Sequence, residues 1–498
     1  MTERIAHWIG GKPHDGTPER TGEVYDPATG AVSGLVDFAD TAIVDEAVRV
    51  ASDAAREWRR TSLAKRTSVL FRFRELLAAH TEELAAIITA EHGKVLSDAA
   101  GEIARGLEAV EFACGIPHLL KGGNTQNAST GVDVSSTLAP LGVVGIISPF
   151  NFPAMVPLWF APNAIACGNA VVLKPSEKDP SAALFLAKLW QRAGLPDGVF
   201  NVVHGDKVAV DALLEHERIK AISFVGSTPI ARYVYENASR NGKRVQALGG
   251  AKNHMVVLPD ADLDATADAA VSAGFGSAGE RCMAVSVLVA VDSIADELVA
   301  KITERMGVLR VGDGRKDSSE MGPLVTAAHR DKVRSYVDGG EKEGATLAFD
   351  GRTHEIDGDQ TGFWLGPTLF DNVTTDMRLY RDEIFGPVLS VVRVPDFTSA
   401  VDLVNAGAYG NGTAIFTADG AAAREFSAEI EVGMVGVNVP IPVPVAYYSF
   451  GGWKDSLFGD SHAYGQEGVH FYTRTKVVTS RWPTAQTHSG VNLAFPSN

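Results

Sequence analysis

The sequence predicts an α/β protein with two parallel-sheet domains behind a helical lead-in. Three observations point there. Short, near-continuously apolar runs alternate with helical periodicity from about 142 to 253, which is the pattern of a parallel sheet covered by helices on both faces. The alternation starts again beyond 253. The chain has 498 residues, enough for about three domains at ~150 residues each.

The elements follow in order. A short turn-rich lead-in comes first. Val44, Ala47, Val48, Ala51, Ala54, Ala55 and Trp58 recur at helical spacing over 41–60, an amphipathic helix. Val69, Leu70, Phe73, Leu76, Leu77, Leu84 and Ile88 repeat that spacing over 66–91, and a third helix covers 99–114. Strands are expected at 142–148, 170–174, 199–204, 219–225 and 244–248, with helices near 157–166, 181–193, 207–215 and 229–241. The second set of strands lies near 254–258, 284–291, 389–394, 412–416 and 434–438. The stretch 470–482 alternates like an isolated strand. Such a strand, far from its domain, often pairs across a subunit interface.

Composition narrows the function. Lys plus Arg is 45 against 61 Asp plus Glu, a formal charge of −16. That balance argues against a nucleic-acid partner, which needs a broad basic footprint. The uncharged stretch Val134–Leu173 is interrupted by five prolines. A spanning helix needs ~20 apolar residues with internally satisfied backbone, so this stretch is read as buried soluble core, and no membrane partner is expected. The first residues (Met1, Thr2, Glu3, Arg4) lack the features of a secretory or transit signal, and a cytoplasmic location is the expectation. The three cysteines, Cys114, Cys167 and Cys282, are too few and too scattered for a disulfide framework or a Cys-type zinc site. The 13 histidines show no metal-ligand spacing, so no metal is expected.

Gly274–Gly279 fits G-x-G-x-x-G, but a dinucleotide fingerprint must follow a strand and open a helix. Here a helical stretch precedes it, and it is read as a flexible loop bringing backbone close to a ligand. Cys282 follows that loop and adjoins Arg281. A thiolate is the reactive form, and a neighbouring cation lowers the thiol pKa. Cys282 is therefore the candidate nucleophile. Cys114 and Cys167 lie in apolar patterns and read as small core residues.

Five motifs occur in one order along the chain: Pro149–Pro153 (PFNFP), Lys174–Glu177 (KPSE), Phe224–Ser227 (FVGS), Gly279–Cys282 (GERC) and Glu383–Pro387 (EIFGP). Together they resemble the aldehyde dehydrogenase superfamily over essentially the whole chain. The resemblance implies a Rossmann-like cofactor domain (1–127 and 142–253), a catalytic α/β domain (254–449) and a small bridging β-element for oligomerisation (128–141 and 466–486). It also implies a homo-oligomer, dimer or tetramer. Cys282 would attack an aldehyde carbonyl, and the Asn151 amide with the Cys282 N–H would hold the oxyanion. Lys174, Glu177, Lys178 and Ser227 would hold the adenosine and pyrophosphate end of NAD, and Gly249 would also contact the cofactor. Ser148 and Phe150 would lie beside the nicotinamide half, and Glu383 would bind its ribose. A carboxylate at the adenosine ribose favours NAD over NADP.

One departure sharpens the resemblance. Most of the superfamily opens a Glu-Leu-Gly-Gly-Lys motif with the Glu that activates water. Here the segment reads Ala247-Leu248-Gly249-Gly250-Ala251-Lys252. Glu280 belongs to the nucleophile loop and is a poor positional substitute. A thiol acceptor does not need that base, because its pKa is ~8.5 against ~15.7 for water. Coenzyme A is therefore the expected acyl acceptor. Residues 250–254 (GAKNH), 276–284 (GSAGERCMA), 105–118 and 471–474 are similar to the CoA-acylating methylmalonate-semialdehyde dehydrogenases, a group that includes malonate-semialdehyde dehydrogenases of inositol catabolism and enzymes of valine catabolism. Arg105 and Arg281 would then hold the substrate carboxylate, which a guanidinium fork matches bidentately. The alternative is a hydrolytic, NAD-dependent aldehyde dehydrogenase that releases a free acid. One methyl is worth only ~1–3 kcal/mol in a pocket, so malonate and methylmalonate semialdehyde both stay open.

Overall fold

Near-continuous apolar strands need cover on both faces, and helices supply it here on two separate sheets. The structure, a computed structural model, describes residues 3–482. The first large sheet has eight strands. Its centre is Arg244–Leu248, Ile219–Val225, Val143–Ile147, Ala170–Lys174 and Phe200–Val202, all parallel. Antiparallel edges close it: Leu457–Phe458 on one side, Trp8–Ile9 and Lys12–Pro13 on the other. The second sheet has seven strands in the order Thr346–Phe349, Thr368–Asp371, Val388–Val394, Val285–Val291, Asn253–Val257, Gly412–Phe416, Met434–Val437. Only Thr346–Phe349 runs antiparallel.

The uncharged stretch folds as the buried strands Val143–Ile147 and Ala170–Lys174 around helix Met155–Ala166, every residue of which is buried. Among the described residues no helix is long and apolar enough to cross a membrane.

Three expectations are corrected. The lead-in is not merely turns: Glu3–Ile5, Arg20–Asp26 and Ala31–Phe38 form a three-stranded sheet. These strands bury few apolar residues, so the alternation is faint in sequence. The span 66–91 is two helices, Leu63–Ala79 and Thr81–His92. They break at His80, whose ring nitrogen Nδ1 lies 2.8 Å from the Leu76 carbonyl, and Glu82 and Glu83 mark the new first turn. The stretch 470–482 begins inside helix Gly465–Phe471, and its strand is Thr473–Arg481. That strand pairs within the chain, antiparallel to Val132–Pro140 over nine residue pairs, with Asn124–Ser129 as the third strand. Among the described residues its outer edge is unpaired. Residues 483–486 of the expected bridging element lie outside the described residues.

Candidate active site

The segment carrying Cys282 runs from helix Leu263–Phe275 to strand Val285–Val291. It is pinned rather than flexible: Ser277, Ala278, Gly279 and Glu280 are all buried. Ser277, Ala278 and Gly279 have φ of 53°, 51° and 74°. A Cβ on Gly279 would lie 2.2 Å from the Gly386 carbonyl oxygen, so only glycine fits where this turn meets the Glu383–Pro387 segment. The Cys282 carbonyl accepts the Asn253 amide at 2.9 Å and the Asn411 amide at 3.2 Å.

Cys282 is partly exposed, in a cleft shared with Ala251, Arg281, Glu383 and Phe385. Burial pushes its thiol up to about 12, and the Glu383 charge adds to the rise. The N–H groups of Cys282 and Met283 act the other way, and Arg281 does so least. The sequence expectation that Arg281 activates the thiol is thus corrected. Its guanidinium is committed to the Asp98 carboxylate and lies against Gly276. Cys114 and Cys167 are buried, with thiols pushed up by desolvation to about 11 and about 12.

Asn151 is buried, and its side-chain amide donates to the Glu280 carbonyl at 2.9 Å. The structure therefore brings Asn151 and the Cys282 segment together. Sequence reasoning missed what holds Asn151. Lys94 Nζ donates to the Asn151 carbonyl at 2.6 Å and pairs with Glu102 at 2.7 Å. The other Glu102 oxygen accepts the N–H groups of Ala154 and Met155 at 2.9 and 3.1 Å. Both side chains are fully buried. The available signal was Glu102 itself, a charge between Ala99 and Ile103 on the apolar stripe of helix Leu96–Cys114.

Arg105 lies three residues further along that helix, just under one turn, is 43 % exposed and pairs with Glu108 at 3.1 Å. Burial raises the Tyr464 phenol, with smaller electrostatic effects from Arg105 and Glu108. Arg281 is paired with Asp98 and lines the cleft of Cys282.

The remaining residues line the ends of the first sheet. Lys174 ends its strand and pairs with Glu177 at 3.2 Å. Burial would raise the Glu177 carboxyl, but the Lys174 ammonium and backbone hydrogen bonds outweigh it and hold it below the usual range. Lys178 Nζ lies 4.4 Å from the Phe150 ring centroid. Ser227 precedes helix Thr228–Arg240 and its hydroxyl makes no capping bond, which leaves that helix N-terminus available to an anion. A Cβ on Gly249 would meet the Asp455 carbonyl at 2.8 Å. Ser148 has a buried hydroxyl without a partner, while its N–H donates to the Lys174 carbonyl. Glu383 accepts the Ala251 N–H at 2.8 Å, and burial raises its carboxyl. An orphaned hydroxyl, an uncapped helix start and an ionised carboxylate fit a dinucleotide. Among the described residues no group of three or more His, Cys, Asp or Glu is placed to hold a metal ion.

Ala247 is fully buried in strand Arg244–Leu248 and brings no carboxylate to the thiol. Glu280 is also fully buried, facing His92 and His329.

A family model described as the aldehyde dehydrogenase family matches residues 14–478. A malonate-semialdehyde dehydrogenase of Pseudomonas aeruginosa is 55 % identical over 479 residues, 96 % of each chain. One from Geobacillus kaustophilus, malonate-semialdehyde dehydrogenase 2, is 49 % identical over 96 % of this chain and 99 % of its own. Among solved structures, one named for a methylmalonate-semialdehyde dehydrogenase of Sinorhizobium meliloti, complexed with NAD, aligns with a TM-score of 0.96 at 51 % identity, covering 98 % of this chain and 99 % of that one. The methylmalonate-semialdehyde dehydrogenase of Oceanimonas doudoroffii also aligns at 0.96, with 55 % identity over 97 % and 99 %. With that coverage, the parallel sheets and the cysteine on its pinned turn are accounted for together: the chain belongs to the aldehyde dehydrogenase family.

Proposed function

We propose that the chain oxidises malonate semialdehyde or methylmalonate semialdehyde to acetyl-CoA or propionyl-CoA, with NAD as oxidant, loss of CO2 and a Cys282 thioester on the way. The names of its relatives support the substrate class. The observation that carries the acyl acceptor is Ala247: where the superfamily's water-activating carboxylate is expected, there is a fully buried methyl group.

The residues divide the work. Cys282 Sγ, once deprotonated, adds to the aldehyde carbon. The oxyanion is met by one N–H of the Asn151 amide, while the other stays on the Glu280 carbonyl, and by the Cys282 N–H. Arg105 and Arg281 hold the carboxylate, for which Arg281 exchanges its contact with Asp98. Lys174, Glu177, Lys178 and Ser227 hold the adenosine and pyrophosphate end of NAD, Gly249 also contacts the cofactor, and Ser148, Phe150 and Glu383 hold the nicotinamide end. NAD supplies hydride acceptance when bound. The thioester then carries a carboxylate β to its carbonyl, and the same oxyanion donors stabilise the enolate formed as CO2 leaves, which takes up a proton from solvent to give the acyl thioester. A CoA thiolate displaces Cys282 without a protein base to activate water. Homo-oligomerisation through the three-stranded sheet and a cytoplasmic setting complete the reading.

The decisive experiment supplies malonate semialdehyde and NAD with and without CoA. Steady-state NADH formation should depend on CoA, with acetyl-CoA as product. Equal turnover without CoA and a product that keeps its carboxylate would establish the hydrolytic reading instead.

A further inference from the structure

One fully buried acid takes no part in those steps. The Glu280 carboxyl lies between two histidines: Oε1 is 3.5 Å from His329 Nε2 and Oε2 is 3.8 Å from His92 Nε2. Oε1 also accepts the Val325 N–H at 3.4 Å. Oε2 and His92 Nε2 are buried, face each other beyond hydrogen-bond distance and make no hydrogen bond elsewhere. His92 Nδ1 accepts the Lys94 N–H at 3.3 Å, which leaves the ring proton of a neutral imidazole on Nε2, facing Glu280. His329 Nε2 bonds the Phe385 carbonyl at 2.7 Å. The clasp is built from the end of helix Thr81–His92 and the start of helix Ala327–Gly340.

No cation neutralises the carboxyl at close range. The nearby ammonium groups are engaged elsewhere, Lys94 on Glu102 and Lys178 over Phe150. Burial pushes Glu280 up to about 8, so it is mainly uncharged at neutral pH. The histidines are uncharged too: burial pushes His329 down to about 4 and His92 well below its usual range.

The backbone of Glu280 links this clasp to chemistry. Its carbonyl orients the Asn151 amide, and the Cys282 N–H follows two residues on. The left-handed residues Ser277 and Ala278 precede it, a conformation that persists only when surroundings enforce it. We propose that Glu280 is the positioning residue of the oxyanion site: its side chain, clasped by His92 and His329, fixes the carbonyl that aims the Asn151 amide beside the Cys282 N–H. This rests on the oxyanion role proposed for Asn151 and Cys282. The clasp also joins the wall of the site, because Phe150 stacks on His92 at 5.8 Å and Phe385 receives His329.

The test compares Glu280→Ala, Glu280→Gln, Asn151→Ala and the Glu280→Ala/Asn151→Ala double variant in the full-length protein with NAD and CoA. Glu280→Ala should lower kcat by about 10–100-fold, a share of the 10²–10³-fold attributed to a whole oxyanion donor, with KM for NAD little changed. Glu280→Gln keeps the shape and cannot ionise. It should restore kcat and lack any decline that ionisation of Glu280 near pH 8 would impose on the wild type. The double variant should be no slower than Asn151→Ala, because both act on one amide. Three results would each overturn the proposal: undiminished kcat in Glu280→Ala, a Gln variant as slow as Ala, or losses that multiply in the double variant. A fully active Asn151→Ala would instead remove the oxyanion reading beneath it. If Glu280→Ala does not fold, His329→Leu carries the same comparison, and unchanged kcat there counts against the clasp.

Discussion

Cys282 was legible from its neighbours in sequence, but its chemistry was not. Adjacency to Arg281 suggested a lowered thiol pKa, whereas burial and Glu383 set a raised one. Adjacency along a chain gives no side-chain direction, and Arg281 spends its charge on Asp98. The shift predicts the pH response of the free protein. With a thiol near 12, the thiolate fraction, and with it the rate of alkylation by iodoacetamide, should rise about tenfold per pH unit between pH 7 and 10. Site-resolved mass spectrometry would follow it, and a flat profile would contradict the assigned environment. Asn151, Glu177, Ser227 and Glu383 were proposed through motifs. Lys94, Glu102, His92 and His329 were not, because each acts on backbone or on another side chain, and no spacing rule encodes that.

Helix Leu96–Cys114 shows how an element serves the site. It lays an apolar stripe on helix Met155–Ala166, yet carries Glu102 within that stripe. Glu102 binds two N–H groups at the start of the other helix and pairs with Lys94. Removing one partner of a buried pair leaves an uncompensated charge, at a cost of ~3–5 kcal/mol. Glu102→Ala should therefore lower the melting temperature measurably. Glu102→Gln should recover part of the loss, because it can still accept the N–H bonds. Equal melting temperatures for wild type and Glu102→Ala would refute this. At this scale strand and helix positions were largely readable from apolar periodicity. The exceptions include the split at His80, the lead-in sheet, where a polar break and weak burial leave little periodic signal, and the four-residue strands Thr346–Phe349 and Thr368–Asp371 of the second sheet, too short to show a period.

At the scale of the molecule, sequence showed two α/β units but not which distant segments pair. Period-two alternation marks Thr473–Arg481 as a strand and says nothing about its partner, Val132–Pro140, more than 300 positions away. The open edge of that strand, with Val477 62 % and Val478 43 % exposed, is the kind of surface that invites another strand. If copies of the chain meet there, Val477→Lys combined with Val478→Lys should shift light-scattering mass toward a smaller species. An unchanged mass would place assembly elsewhere. The desolvated setting of Cys282 has one more consequence. Peroxide, like an aldehyde, is attacked by thiolate and not by thiol. A sulfur held protonated between turnovers should form sulfenic acid slowly, and peroxide inactivation of the free protein should accelerate with pH as alkylation does.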